Sequence, residues 1–419
     1  MDSAIDQREE TDVVIVGAGP TGLTAAVRLA QLGVPHVLLD GAAEPSQTSK
    51  AALVHAATLE LLAEVGVGDD LVAAGRVMRR IVMVDRGRPL VRVELGHLPT
   101  RYPFALGVPQ STTEALLLQR LHDLGGAVRR LHRVDVVHPH PMGNVVAGNV
   151  VTGAATGPGG SSVPFELRAR YVLGADGSHS AVRSAIGLEF PGETYPAQFV
   201  LADVELAFTG PTADDEATIN LSAHGVTVLG RLPSGNHRIV ATVDPGADVP
   251  EAPDRAFVDA LLADRGVPAR SASEPVWSSR FRVHHRVADR FRVGGVFLAG
   301  DAAHVHSPAA GQGMNTGIAD AFDLSTRLAA VLAGRAGDET LDDYERGRRA
   351  AALEVLRFTD RMTRMAMLRS PVARAGRRTL AGSVGRLGPV QRRLAMWVTG
   401  LERSPLRHGL PDVSSVTTR

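Results

Sequence analysis

The sequence predicts an α/β fold: a parallel-sheet nucleus interleaved with an antiparallel-sheet region and followed by C-terminal helices. Three observations predict it. A β-branched run at 12–16 passes through a glycine-rich turn into a helix and then a second strand at 37–40, which is a β-α-β unit. A second apolar run, Val293 to Ala299, again ends in a glycine turn before a long helix. Between them, residues 191–281 carry short alternating runs and turn signals, the mark of antiparallel strands.

The elements follow in order. Residues 1–11 are polar and acidic, without an apolar stretch behind a basic start. Residues 21–32 place Leu23, Ala26, Val27 and Ala30 at helical spacing, and Gly33 ends the helix. A polar loop spans 41–51, and a helix over 58–65 is stopped by Gly66 and Gly68. Runs at 81–84 and 90–93 read as strands. A helix covers 111–124, with Ser111 placed to cap it and Glu114 three residues on. Strands and loose loops fill 128–174. The alternating runs lie at 199–206, 217–221, 226–232 and 238–243, with a turn at 233–236 and a helix near 254–264. A long helix covers 313–333, and 340–419 is Arg-rich and mostly helical. This divides the chain into a part with the parallel strands (1–75, 107–190, 282–340), an antiparallel-sheet part (76–106, 191–281) and a C-terminal helical segment (341–419).

Composition excludes several functions. Across 419 residues, Lys plus Arg and Asp plus Glu both number 45, so no basic excess points to nucleic acid. Aromatic residues make up only 4%, too few for a base-stacking surface. The absence of cysteine removes disulfides, zinc–thiolate sites and thiol nucleophiles. Lys50 is the sole lysine, so Schiff-base chemistry has one possible position. The apolar runs are too short to span a membrane. A cytoplasmic monomer or homodimer is expected.

The first motif is Gly17-Ala18-Gly19-Pro20-Thr21-Gly22, between a strand and a helix. Gly17 allows the tight turn, Gly19 the approach of a pyrophosphate, and Gly22 close packing of helix on sheet. The helix N-terminus faces the phosphates with roughly half a positive charge. Asp40, ending the second strand, is placed to accept from a ribose diol. This Rossmann-like unit does not separate NAD from FAD.

Two further motifs carry a resemblance. One is Asp176–Gly177 within GADGSHSAVR; the other is Gly300–Asp301 running into HSPAAGQGMNTGIADA. With the glycine fingerprint, their order and spacing over 11–350 resemble the class A FAD-dependent aromatic hydroxylases. These are flavoprotein monooxygenases of the p-hydroxybenzoate hydroxylase fold, here nearest those of phenolic and polyketide-like substrates. The resemblance implies FAD, with NADPH or NADH as transient co-substrate, and oxygen transfer to an aromatic ring through a flavin hydroperoxide. It implies that Asp301 binds a ribityl hydroxyl, and that Pro308, Gly311, Gln312, Gly313, Met314 and Asn315 lie at the isoalloxazine. A helix starting near Gly313 then points N–H groups at the pyrimidine edge. Asp176 and Gly177 serve the pyrophosphate and NAD(P)H, Arg183 supports that turn by pairing with Asp176, and Gln110 contacts the middle of the flavin.

The family's two arginines after the second strand appear here as Lys50, which keeps the charge without the fork, and Ala57, which loses both. FAD or NAD(P)H is then expected to bind more weakly. Ala309–Ala310 replaces a common second glycine and stiffens that loop. After 340 the chain reads as helices, not as the thioredoxin-like domain of larger relatives. The 191–281 sheet roofs the substrate pocket, with Leu221, His224, Val226, Val228 and Arg231 as lining candidates. Pro308, His224 and Arg231 are the candidate catalytic positions, the latter two to orient or deprotonate a phenol. His304 with His306, and His284 with His285, lack a third ligand at recognised spacing, so no metal is expected. Two other outcomes stay open: a Baeyer–Villiger or non-oxygenating flavin oxidoreductase, and a flavin-fold binding protein without turnover.

Overall fold

In the first strand, Glu9–Val16, the last four residues are buried. Parallel strands flank it on both sides, which is why its sequence is continuously apolar rather than alternating. The computed structural model describes residues 9–46, 51–85, 87–139, 149–209, 214–308, 311–366, 370, 376 and 388–413. Lys50 and Ala309–Ala310 lie outside the described residues.

Glu9–Val16 pairs in parallel with His36–Leu39 and with Ser162–Gly174, which pairs in parallel with Val296–Leu298. Val16 is in register with Gly174, and Gly174 with Leu298. Three strand ends remote in sequence therefore finish side by side, and the turns they feed open on one crevice, where open α/β sheets bind ligands. Ser162–Gly174 also carries an antiparallel hairpin built by Asn149–Thr156 and His132–His138.

Among the described residues the second sheet has eight strands. Gly192–Val204, Glu216–Leu221, Val226–Arg231, His237–Val243 and Trp277–Val287 come from one region. Arg80–Asp85 and Arg88–Glu94 join them, because Glu216–Leu221 pairs in parallel with Arg80–Asp85. One face packs under the helix Arg255–Asp264, where Leu229, Ile239, Ala202, Val258 and Leu262 form a core. The other face turns toward the crevice. The short strand His304–Val305 pairs with Trp277–Val287 and ties the two sheets together.

The crossover helix Pro20–Gln31 and the helix Gly313–Leu332 pack closely. A Cβ on Gly317 would stand 2.5 Å from Thr21 Oγ1, so only glycine permits this approach. The helix Glu339–Ala366 docks through Tyr344, which is fully buried and donates to the Leu298 carbonyl at 2.7 Å. Among the described residues, no helix is long and apolar enough to cross a membrane.

Two expectations need correction, and one element was missed. Ser111 does not cap its helix, which starts at Gln110 with Pro109 at the N-cap and no side-chain cap bond. The Pro109 carbonyl already accepts from Thr112 and Thr113, and Glu114 instead accepts from Gln110. Gly68 does not stop a helix but opens another, Gly68–Ala74. Its small size matters there, since a Cβ would meet Ala63 at 2.8 Å. The long strand Trp277–Val287 lacks a readable apolar alternation because most of its residues are only partly buried.

Candidate active site

The three turns and the crevice face of the second sheet enclose a cavity of about 810 Å³. That is the size of a cofactor or ligand site. The turns supply one wall. Gly17 has φ +100°, and a Cβ there would lie 2.4 Å from the Ala175 carbonyl oxygen, so two of the turns touch through bare backbone. Gly22 packs behind, where a Cβ would meet the Gly17 oxygen at 1.8 Å. Gly19 is the N-cap of the crossover helix, with Pro20 at its first position, and both line the cavity with Thr21.

Asp40 also reaches the cavity. Its Oδ2 accepts from the Ala18 N–H at 2.7 Å and its Oδ1 from Ala42 at 2.8 Å, so it braces the fingerprint turn as well. Gln110 lines the cavity, held by Glu114 at 2.9 Å. Asp176 Oδ2 accepts from Ala181 at 2.7 Å and Val182 at 3.2 Å, capping the helix Ala181–Ala185. Its Oδ1 is buried without a hydrogen-bond partner among the described residues. Burial pushes this carboxyl up, against the hydrogen bonds that favour its charge.

Arg183 makes no contact ion pair with Asp176. Its guanidinium donates to the carbonyls of Ala302 and Ser178, both at 2.9 Å, and lies 3.9 Å above the Phe190 ring. It thereby bridges the second and third turns, and burial lowers its pKa. Gly300 has φ +59°, and Asp301 beside it is exposed at the cavity wall. Pro308, Gly311, Gly313 and Met314 line the cavity.

Gln312 and Asn315 do not line it; they brace the turn from behind. Asn315 accepts from the His55 N–H at 2.8 Å and donates to the Leu53 and Gly311 carbonyls. Gln312 is 2% exposed and donates to the Val398 carbonyl at 2.8 Å.

Behind the Gly300 turn lies a buried polar knot that sequence patterns missed. Asp320 accepts from His304 Nε2 at 2.7 Å, from Arg348 Nε at 2.7 Å and from the Gly300 N–H at 3.1 Å. Burial alone would raise this carboxyl, but Arg348 and His304 hold it below the usual range. The histidines belong to this knot and to the cavity wall. His306, beside His304 on the cavity wall, is pushed down to about 4 by burial. Among the described residues, no three His, Asp or Glu side chains gather as a metal site.

The second sheet supplies the opposite wall, or roof. Ile219, Val228 and Val240 lie in register on three neighbouring strands, with Met83 beside Ile219, and all four line the cavity. The next row carries Ile81, Ala217, Gly230 and Arg238. Of the five expected pocket residues, Val228 alone lines the cavity. His224 is exposed on the 222–225 turn, with Nδ1 2.7 Å from Asp264. Leu221 and Val226 lie at that end of the strands, away from the cavity, and Leu221 is buried in packing. Arg231 falls on the opposite face by strand alternation and pairs with Asp214.

The charged residue on the roof is instead Arg238. It is buried and gripped by both oxygens of Asp203, with Trp277 at 5.5 Å. Its strand was legible in the sequence, but the register that aims Arg238 at the cavity was not.

The wall fits a flavin dinucleotide. Gly19, Gly177 and Gly313 all line the cavity. A Cβ on Gly19 or Gly177 would meet nothing within 4 Å, and one on Gly313 only His306 Cε1 at 4.0 Å. Bare backbone thus faces open space at three points, beside two helix N-termini suited to phosphates and to the electron-rich edge of a reduced ring.

Comparison with known proteins agrees. The family model described as an FAD binding domain matches residues 10–359. The chain is 36% identical over 413 residues to 6-methylpretetramide 4-monooxygenase of Streptomyces rimosus, covering 96% of this chain and 72% of that one. It is 38% identical over 369 residues to the 12-dehydrotetracycline 5-monooxygenase/anhydrotetracycline 6-monooxygenase of Streptomyces rimosus subsp. rimosus, covering 83% and 68%. Among solved structures, p-nitrophenol 4-monooxygenase PnpA of Pseudomonas putida superposes with a TM-score of 0.80 at 27% identity, over 94% of this chain and 98% of that one. The OxyS anhydrotetracycline hydroxylase of Streptomyces rimosus gives 0.73 at 34% identity, over 94% and 76%. The glycine-walled crevice and the extent of these matches lead to one assignment: the chain belongs to the FAD binding domain family of flavin-dependent aromatic and polyketide monooxygenases.

Proposed function

We propose that this protein hydroxylates a phenolic or polyketide-like aromatic molecule, using NAD(P)H and O2. The balance is one substrate C–H, NAD(P)H, a proton and O2 giving a C–OH, NAD(P)+ and water. FAD, when bound, would pass the two electrons of NAD(P)H to O2 and so activate the oxygen atom that is transferred. The observation that carries the reading is the apolar roof of Ile81, Met83, Ile219, Val228 and Val240, facing the bare-backbone wall across one cavity. A flat aromatic molecule suits that gap, and the relatives named for tetracycline intermediates act on such molecules.

The chain's own residues bind, orient and exclude water. Gly17 and Gly19, with Pro20 and Thr21, hold the pyrophosphate at the crossover helix while Gly22 packs behind them, and Asp40 and Asp301 accept from ribose and ribityl hydroxyls. The N-terminus at Gly313 faces the pyrimidine edge. Arg238, held rigid by Asp203, orients an oxygen of the substrate that carries negative charge. His306 stays neutral near pH 7 and stores no proton for the substrate. For NAD(P)H, Arg286 offers a cationic partner for phosphate, with His284, which burial and Arg286 keep neutral, close to it and His179 at the cavity rim. Residues 1–75, 107–190 and 282–340 act as the cofactor part, and 76–106 with 191–281 as the substrate part.

The test is NAD(P)H consumption by FAD-loaded protein with phenols and anhydrotetracycline under 18O2. A product one 18O atom heavier, carried as a ring hydroxyl, supports the reading. Consumption that yields only hydrogen peroxide across the panel, or an ester product, overturns it.

A further inference from the structure

The C-terminal segment is built into the back of the cofactor wall. The helix Gly388–Val398 runs through Gly400, at φ +75°, into the short turn Leu401–Arg403. The Val398 carbonyl accepts from Gln312 Nε2 at 2.8 Å. Arg403 Nη2 donates to Gln312 Oε1 at 3.3 Å and to the Trp397 carbonyl at 3.0 Å. One segment thus grips both ends of the Gln312 amide, and Gln312 sits between Gly311 and Gly313 of the cavity wall.

The same segment reaches the other turns. The Arg403 carbonyl accepts from Arg348 Nη1 at 3.2 Å, and Arg348 holds Asp320, which holds the Gly300 N–H. On its inner side, Leu394 and Val398 line the cavity. Arg403 itself is buried in place. Its side chain is 9% exposed, lies 4.1 Å over the Trp397 ring, and has Glu354 at 3.7 Å. Burial drives its pKa down to about 10. A cation kept under those conditions needs a structural return.

Ala57 gains a physical reason. Its N–H, otherwise an orphan of the first helical turn, donates to the Thr399 carbonyl at 3.2 Å. A Cβ on Gly400 would stand at ordinary contact distance, 3.4 Å, from the Ala57 Cβ, and Ala57, Thr399 and Gly400 line one small cavity of about 30 Å³, so a much longer side chain at 57 would grow toward the strap.

We infer that residues 388–403 form a strap that sets the Gly311–Gly313 turn, with Arg403 as its positioning residue acting on bound flavin through the Gln312 amide. The inference rests on the flavin reading of the cavity and adds to it a determinant of cofactor affinity far along the chain.

The test is FAD titration of the full-length apoprotein, read by flavin fluorescence, beside thermal unfolding of the same apoproteins. Arg403→Met is expected to weaken FAD binding at least tenfold, and Arg403→Lys to recover part of it. In a Gln312→Ala background, Arg403→Met is expected to add less than a twofold effect. Wild-type affinity in Arg403→Met, or an undiminished effect in the Gln312→Ala background, overturns the inference. Should Arg403→Met fail to fold, Ala57→Leu carries the test: weakened FAD binding in a folded apoprotein supports the strap, and unchanged binding overturns it. Asp301→Ala is the control. If it binds FAD like wild type, the flavin reading of the cavity is at fault, not the strap.

Discussion

The cofactor wall and the roof face one cavity and are made by opposite means. The wall is backbone: glycines in turns, two helix N-termini, and a buried Asp320–Arg348–His304 knot that fixes them. The roof is side chains: aliphatic residues on strands whose positions are interchangeable in chemistry though not in shape. The difference teaches where variation is tolerated. Backbone donors cannot be altered by substitution except by collision, whereas a roof residue changes the cavity's shape and leaves the wall intact. A common cofactor and a variable substrate fit that division.

The comparison breaks most severely at the knot. Asp320→Ala strands a buried Arg348 and frees the Gly300 N–H, and is expected to cost about 3–5 kcal/mol of stability by denaturant unfolding. Retained stability would mean that the wall does not depend on the knot.

Gly19→Leu sharpens the contrast differently. Its Cβ meets no atom within 4 Å, so the apoprotein should melt like wild type. The side chain fills the cavity, however, and flavin absorbance should vanish after desalting. Flavin retained at wild-type stoichiometry would contradict the assignment of that wall.

Acid should weaken the wall through His306. Its folded pKa, near 4, lies below the unfolded value of about 6.5. The unfolded chain therefore binds the proton first as pH falls. Stability should be full above pH 6.5, decline down to about pH 4 by about 3 kcal/mol from this group, and level below that. Urea midpoints across pH 4–7 measure it, and His306→Phe should flatten the slope.

On the roof, Ile219→Ala should raise substrate KM several-fold, for a loss of about 1–2 kcal/mol of apolar contact. FAD affinity should stay within twofold, and a larger change would dissolve the distinction between the two walls. The smallest effect belongs to His224→Ala. The ring is exposed and paired only with Asp264 at the surface, so stability should shift by less than about 0.5 kcal/mol and kcat/KM not at all.

Much of the wall was legible in the sequence. The glycine fingerprint, Asp176–Gly177 and Gly300–Asp301 each announced a turn, because a strand–glycine–helix pattern is a local constraint on backbone angles. The roles within those turns were less legible. Arg183 chose carbonyls over Asp176, and Gln312 and Asn315 turned inward as braces, because hydrogen-bond partners are decided by what lies across the turn. The roof was legible as strands and largely not as a surface: of its expected residues, Val228 alone faces the cavity.

The sequence by itself determined most of the element types, the β-α-β start and the turns that wall the cofactor crevice. These depend on residue period and on glycine, and both act within a few residues. Only the tertiary structure decided that Arg238 and not Arg231 meets the cavity, since a strand's face depends on its register with neighbours such as Arg80–Asp85, drawn from far along the chain. It also decided that Ala57 is the seat of a C-terminal strap, because that contact joins residues more than three hundred positions apart and leaves no periodic trace in either.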